Sequence, residues 1–143
     1  MNVAVRYFSG TGNTKKVADA VARALGVTAE TMSYPVSGVD LLFIGTPIHA
    51  GKLPYEVSSF FEDIGPARVK KVVAFGTSMG GKSPAPLISR LVAPRGIKMA
   101  GESYACPGKY LLFKKGRPND GDIAAAAEFA KRVLENESSA AEA

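Results

Sequence analysis

The sequence predicts an α/β domain built on a parallel sheet with helices on both faces. Three observations carry that prediction. Apolar runs alternate with segments of helical periodicity along the chain. Two of the runs, LLFIG (41–45) and VVAFG (72–76), are apolar throughout rather than at alternate positions, as in strands covered on both sides. Three apolar runs also end in glycine-containing turns, and the carboxyl ends of strands are where an open parallel sheet binds ligands.

Residues 2–8, NVAVRYF, read as the first strand, ended by Ser9-Gly10. Residues 13–26 read as a helix, because Val17, Val21, Ala24 and Leu25 recur at helical spacing and Gly26 stops it. Residues 27–32 form a weaker strand and residues 39–45, VDLLFIG, a strong buried one. A second helix is expected over 53–65, with Pro54 in its first turn and Gly65 past its end. Another buried strand follows at 69–76, then a helix over 83–96, begun by Ser83-Pro84 and closed by Pro94. Residues 97–105 read as a fifth strand weakened by Gly101, and 121–136 as the terminal helix. The expectation is one domain over 1–136 with a disordered tail over 137–143. Residues 106–120 form a long connection whose apolar centre, Tyr110, Leu111, Leu112 and Phe113, is expected to pack on the sheet.

Composition narrows the function classes. A chain of 143 residues is the size of one ordinary domain. Its single cysteine, Cys106, excludes an intrachain disulfide, and one cysteine with one histidine excludes a zinc site. No apolar run reaches membrane length, and the N-terminus has neither a basic leader nor a small-residue cleavage site. The expectation is a soluble cytoplasmic domain with no membrane partner. The net charge of +5 is unevenly spread: residues 65–119 hold eleven basic residues against one acidic residue, Glu102. A basic segment of this kind suits an acidic partner or a solvated face. Its cations are not interleaved with aromatics as in a single-strand binder, so no nucleic acid is expected.

Two glycine-rich stretches compete as phosphate sites. GTSMGGKS (76–83) matches the triphosphate-binding pattern G-x-x-x-x-G-K-[ST]. That chemistry also needs an aspartate at the end of another strand to hold magnesium, and no later apolar run ends in Asp. FSGTGNT (8–14) is the stronger candidate. Ser9, Thr11, Asn13 and Thr14 offer polar donors, and Gly10 and Gly12 let the backbone wrap closely. The loop runs straight into a helix, whose unpaired N–H groups bind phosphate without a cationic side chain. It is not a dinucleotide fingerprint, because Lys15 stands where the third glycine would be.

The stretch VRYFSGTGNTKKVADAV (5–21) resembles the N-terminal signature of the short-chain flavodoxins. Val5, Tyr7, Ser9, Gly12, Thr14, Ala18 and Val21 match it, whereas Arg6 departs where an apolar residue is usual. GTPIHAGKLP (45–54) resembles the second flavin loop of small flavodoxin-like proteins, and the order of elements matches from residue 2 to about residue 136. The resemblance implies a flavodoxin-like three-layer, doubly wound sandwich with a five-stranded parallel sheet in the order 2-1-3-4-5. It implies non-covalent flavin mononucleotide (FMN). Ser9, Thr11, Asn13 and Thr14, with the backbone of Gly10 and Gly12, would hold its phosphate. Thr46, Pro47, Ile48, His49, Ala50, Gly51 and Lys52 would flank the ring on one side, and Thr77, Ser78, Met79, Gly80 and Gly81 on the other. GTSMGGKS then becomes the third flavin loop. His49 and Met79 stand where flavodoxins usually stack an aromatic residue.

The resemblance further implies that the Ala50-Gly51 peptide reorients as flavin N5 gains a proton, a change that glycine makes easier. Lys52 and Lys82 either stabilise the reduced, anionic flavin or point into water. The expected function is an electron carrier between a reductase and an acceptor protein with acidic docking faces. One alternative is a small FMN-dependent oxidoreductase acting on a quinone or a porphyrinogen, although the insertion of the flavodoxin-like protoporphyrinogen oxidases has no counterpart here. Another is a flavin-free binding module that kept the fold.

Overall fold

A computed structural model describes residues 1–109 and 113–142. Its elements are β1 (Val3–Tyr7), α1 (Asn13–Leu25), β2 (Ala29–Thr31), β3 (Val39–Pro47), α2 (Tyr55–Phe61), β4 (Val69–Ser78), α3 (Ala85–Val92), β5 (Lys98–Met99), β6 (Tyr104–Pro107) and α4 (Asp120–Glu142). All the strand pairings in the sheet are parallel, in the order β2-β1-β3-β4-β5, with β6 also on β4. This is the expected doubly wound α/β order with one additional strand.

The extra strand comes from a break in the fifth one. β5 pairs Lys98 and Met99 with Lys71 and Val72, and β6 begins where Tyr104 pairs with Phe75. Between these points β4 advances from Val72 to Phe75, while its neighbour advances from Met99 to Tyr104. The surplus residues around Gly101 bulge out of the ladder, so the single strand expected over 97–105 is two strands. The second one carries on to Pro107, which sets Gly108 and Lys109 at the carboxyl edge of the sheet.

Period-two alternation sorts the buried strands between two cores. Leu41, Phe43, Val73 and Phe75 face α1 and α4, with Val5 and Tyr7 beside them. Leu42, Ile44, Val72 and Ala74 face the opposite way, onto Val57 and Phe61 of α2 and Ile88 and Val92 of α3. On the first side, Phe129 of α4 meets Phe43 edge-on at 6.2 Å and stacks on Tyr104 at 5.7 Å.

Arg6 has a structural reason for departing from the usual apolar residue. The crossover from β2 to β3 contains no helix, only residues 32–38. The Arg6 guanidinium donates to the carbonyls of Tyr34 (3.1 Å) and Pro35 (3.0 Å) in that crossover and to Val5 (3.0 Å). A crossover helix would present apolar side chains at this point. An extended crossover presents carbonyls, and arginine's fork of donors suits them.

Two further expectations change. The terminal helix does not stop at residue 136 but runs to Glu142, and Lys71 holds Glu137 at 2.7 Å. Phe113, expected to pack on the sheet, is 61 % exposed. Tyr110, Leu111 and Leu112 lie outside the described residues.

Candidate functional site

The three glycine-containing turns meet at the carboxyl ends of β1, β3 and β4, and each is built differently. β1 ends at Tyr7, and Phe8 N–H still bonds Gly45 O at 3.0 Å. The chain then leaves the sheet. Ser9 Oγ accepts the N–H of Gly12 at 3.0 Å, and Gly12 sits in the left-handed region with φ 92° as the residue that starts α1. No side chain caps α1, its first turn holds no acid, and Lys15 and Lys16 stand there instead. Among the described residues the first N–H groups of α1 have no partner; these, the positive end of the helix dipole and Lys16 favour an anion at this turn, while Lys15 pairs with Asp19 at 2.8 Å. Thr14 lies beneath the loop, 1 % exposed, its hydroxyl bonded to that of Thr77 at 2.9 Å. Asn13 Nδ2 donates to Lys109 O at 2.8 Å.

In the second turn, β3 continues through Thr46 and Pro47. Thr46 is fully buried and its hydroxyl donates to Pro47 O at 2.9 Å. Ile48 N–H bonds Thr77 O at 2.9 Å, which keeps the second and third turns side by side. His49 and Lys52 exchange both main-chain bonds, at 3.1 and 3.0 Å, around Ala50 (φ 51°) and Gly51 (φ 74°). Two positive φ values in a two-residue hairpin loop define a type I′ turn. Alanine there is strained by about 1 kcal/mol.

The third turn is mostly strand. β4 runs through Gly76, Thr77 and Ser78, so the first residues of GTSMGGKS are not a loop. A Cβ on Gly76 would fall 2.1 Å from Thr46 O, so glycine is what lets β4 lie against β3 here. The turn closes when Ser78 Oγ accepts Lys82 N–H at 2.7 Å. Ser83 Oγ bonds Ser103 Oγ at 2.8 Å and accepts Ala85 N–H at 3.1 Å, and Lys82 is exposed. The triphosphate pattern therefore has no wrapped loop beneath it.

A cavity of about 340 Å³ lies between the turns. Thr11 and Asn13 of the first, residues 47–50 of the second and Thr77, Ser78 and Met79 of the third line it, with Gly108 and Lys109 on the remaining side. Thr14 and Thr46 sit buried under the loops. Gly10 is exposed at the first turn, and Gly51, Lys52, Gly80 and Gly81 belong to the turns without lining the cavity. Ser9 and Gly12 border a second, larger cavity of about 750 Å³ floored by Phe8, Met32, Val36, Phe60 and Ile64. The two cavities share no lining residue. His49 and Met79 are exposed, Met79 by 49 %.

Gly108 and Lys109 were not legible as site residues. The sequence ends the last strand at Ala105 and leaves them in a connection, whereas the pairing of Thr77 with Cys106 and Ser78 with Pro107 carries them to the site. Cys106, on β6, does not line the cavity between the turns. It is buried, and burial, reinforced by Asp122, pushes its thiol pKa up to about 11.

The residues suit FMN. The first turn offers neutral donors and a helix N-terminus, a fit for a phosphate monoester. The adjoining cavity is within the roughly 300–1,000 Å³ range of small-ligand sites, and its apolar and glycine-containing walls suit a flat ring.

The profile of the flavodoxin domain family matches residues 4–87. A search among curated proteins finds no match. Among solved structures, oxidised flavodoxin 2 from Bacillus cereus is 20 % identical, covering 95 % of this chain and 99 % of its own, with a TM-score of 0.73. A flavodoxin from the domain Archaea is 17 % identical, covering 95 % and 98 %, with a TM-score of 0.74. A short-chain flavodoxin associated with a non-canonical PDU bacterial microcompartment is 20 % identical, covering 95 % and 99 %, with a TM-score of 0.70. These likenesses establish the fold, and the profile match over more than half of the chain establishes the family. The chain belongs to the flavodoxin domain family, whose cofactor is FMN.

Proposed function

We propose that this chain is an electron carrier that holds FMN at the carboxyl ends of β1, β3 and β4 and exchanges electrons with partner proteins. The observation that carries the reading is the cavity between the three turns, joined to an uncapped helix N-terminus with no acid in its first turn. Bound FMN supplies one- and two-electron chemistry. The chain's own residues bind, orient and shield it.

Gly10, Gly12 and the first N–H groups of α1 hold the phosphate. Thr14 and Asn13 act one layer back, each tied to another part of the site. Residues 47–50 and Thr77–Met79 flank the ring, with His49 and Met79 in place of the usual aromatic residue. Ala50 lines the ring cavity, and the positive φ of Gly51 next to it supports the reading that this peptide reorients as flavin N5 gains a proton.

Two observations favour a carrier over an oxidoreductase acting on a quinone or porphyrinogen. The larger cavity shares no wall with the ring cavity, so a substrate bound there would not touch the reacting atoms. The single cysteine, Cys106, is buried, and burial pushes its thiol pKa up to about 11, away from a reactive thiolate. Lys109, which lines the ring cavity, is exposed, as are Lys52 and Lys82 of the second and third turns, and these cations suit acidic docking faces on a reductase and an acceptor.

Reductive titration of the FMN-loaded protein, followed by stopped-flow transfer to an acidic acceptor across a salt series, tests the reading. Transfer that slows as salt rises is expected. Rates insensitive to salt would remove the docking assignment, and steady turnover of a quinone or porphyrinogen would replace the carrier with an enzyme.

A further inference from the structure

We propose that Gly108 and Lys109, immediately after β6, act as a strut that positions the phosphate loop and thereby sets the preference for a phosphorylated over an unphosphorylated flavin. The inference rests on the reading that residues 9–14 take the FMN phosphate.

Gly108 N–H donates to Ser78 O at 3.0 Å, which fixes this segment to the end of β4. The next carbonyl, Lys109 O, accepts Asn13 Nδ2 at 2.8 Å. The segment thus spans the gap between the third and first turns, and both of its residues line the ring cavity. Lys109 N–H is itself held by Arg117 O at 2.9 Å, so the accepting carbonyl is anchored on two sides. Arg117 is fixed in turn by a two-pronged pair with Asp122 at 2.6 and 2.8 Å.

The fit at Gly108 is close. A Cβ there would lie 2.9 Å from Asn13 Nδ2, 3.2 Å from its Cγ and 3.3 Å from its Cβ. No positive φ accounts for this glycine, so the approach of Asn13 is what requires it. Asn13 is also the first residue of α1, so moving its side chain moves the N–H groups aimed at the phosphate. The carboxamide works as a brace on the loop, and the backbone beside it makes the ligand contact.

The test is a pair of equilibrium titrations, with FMN and with riboflavin, on the purified apo chain, Gly108→Ala, Asn13→Ala and the double variant. Gly101→Ala serves as the control, since a Cβ there meets nothing within 4 Å. Wild type should prefer FMN. Each single variant should weaken FMN about tenfold and lower the FMN-to-riboflavin affinity ratio severalfold. The double variant should lose no more than the worse single one, because both act through one contact. Equal weakening of both flavins, or additive losses in the double variant, would overturn the strut. If Gly108→Ala gives no cooperative thermal transition, Asn13→Ala decides alone: an unchanged FMN-to-riboflavin ratio overturns it. A wild type that binds both flavins equally would instead remove the underlying phosphate-loop reading.

Discussion

Residues 8–14 and 76–83 are both glycine-rich and both lie at the carboxyl end of a strand, yet the first begins where β1 has ended and the second begins inside β4. At the first, β1 stops at Tyr7, the chain leaves the sheet, and Gly12 turns through φ 92° into an uncapped helix. At the second, β4 keeps its ladder with β3 through Thr77, and the glycine that opens the motif is there for close packing on Thr46 O. Letters that spell a phosphate loop therefore do different work in different backbone states. What separates the sites is where the strand ends and whether helix N–H groups are left unpaired, rather than the presence of a lysine.

The sharpest way to break that comparison is at Gly76. Gly76→Ala places an atom on the Thr46 carbonyl and is expected to destabilise the fold by about 3 kcal/mol, the upper end of overpacking effects. Urea denaturation measures it, and a near-neutral result would return residues 76–83 to loop status.

Gly12→Asp comes next. It strains a left-handed position and sets a carboxylate at the phosphate turn, so FMN affinity should fall about 100-fold, roughly 2.7 kcal/mol, in a fluorescence titration. Thr14→Val leaves the Thr77 hydroxyl buried without its partner and should cost about 1–2 kcal/mol of apo stability in the same denaturation assay. Ala50→Gly should raise thermal stability by about 0.5–1 kcal/mol, since glycine holds φ 51° without strain.

The smallest effect belongs to the motif lysine. Lys82→Ala should leave FMN affinity within about twofold, because an exposed charge is worth little. Its reduction potential should move slightly more negative, as should that of Lys52→Ala. A potentiometric titration reads that sign, and unchanged potentials would put both lysines in the solvent.

Much of the fold was legible because it depends on local pattern. The runs at 39–45 and 69–76 are apolar on both faces, and helices packed on both sides leave no other pattern available. The misses share a cause, which is pairing between distant segments. Nothing near Gly101 tells that the ladder on β4 resumes after a bulge, or that Cys106 and Pro107 remain strand. Glu137 lies in a helix anchored by Lys71, a residue far away in sequence. Arg6 could be flagged as a departure, but its reason lies in the carbonyls of Tyr34 and Pro35.

At the site, the three turns were readable from their glycines and from their places after strands. The second layer was not. Thr14 meeting Thr77, and Asn13 meeting Lys109, are contacts across the carboxyl edge of the sheet that no spacing in the chain announces.

Residues 8–14, and not 76–83, are expected to hold the phosphate of a bound flavin nucleotide. Isothermal titration of the apo chain with FMN, and separately with magnesium–ATP, tests it most directly. One equivalent of FMN should bind, and ATP should give no heat. ATP binding that disappears in Lys82→Ala, with FMN failing to bind, would contradict it.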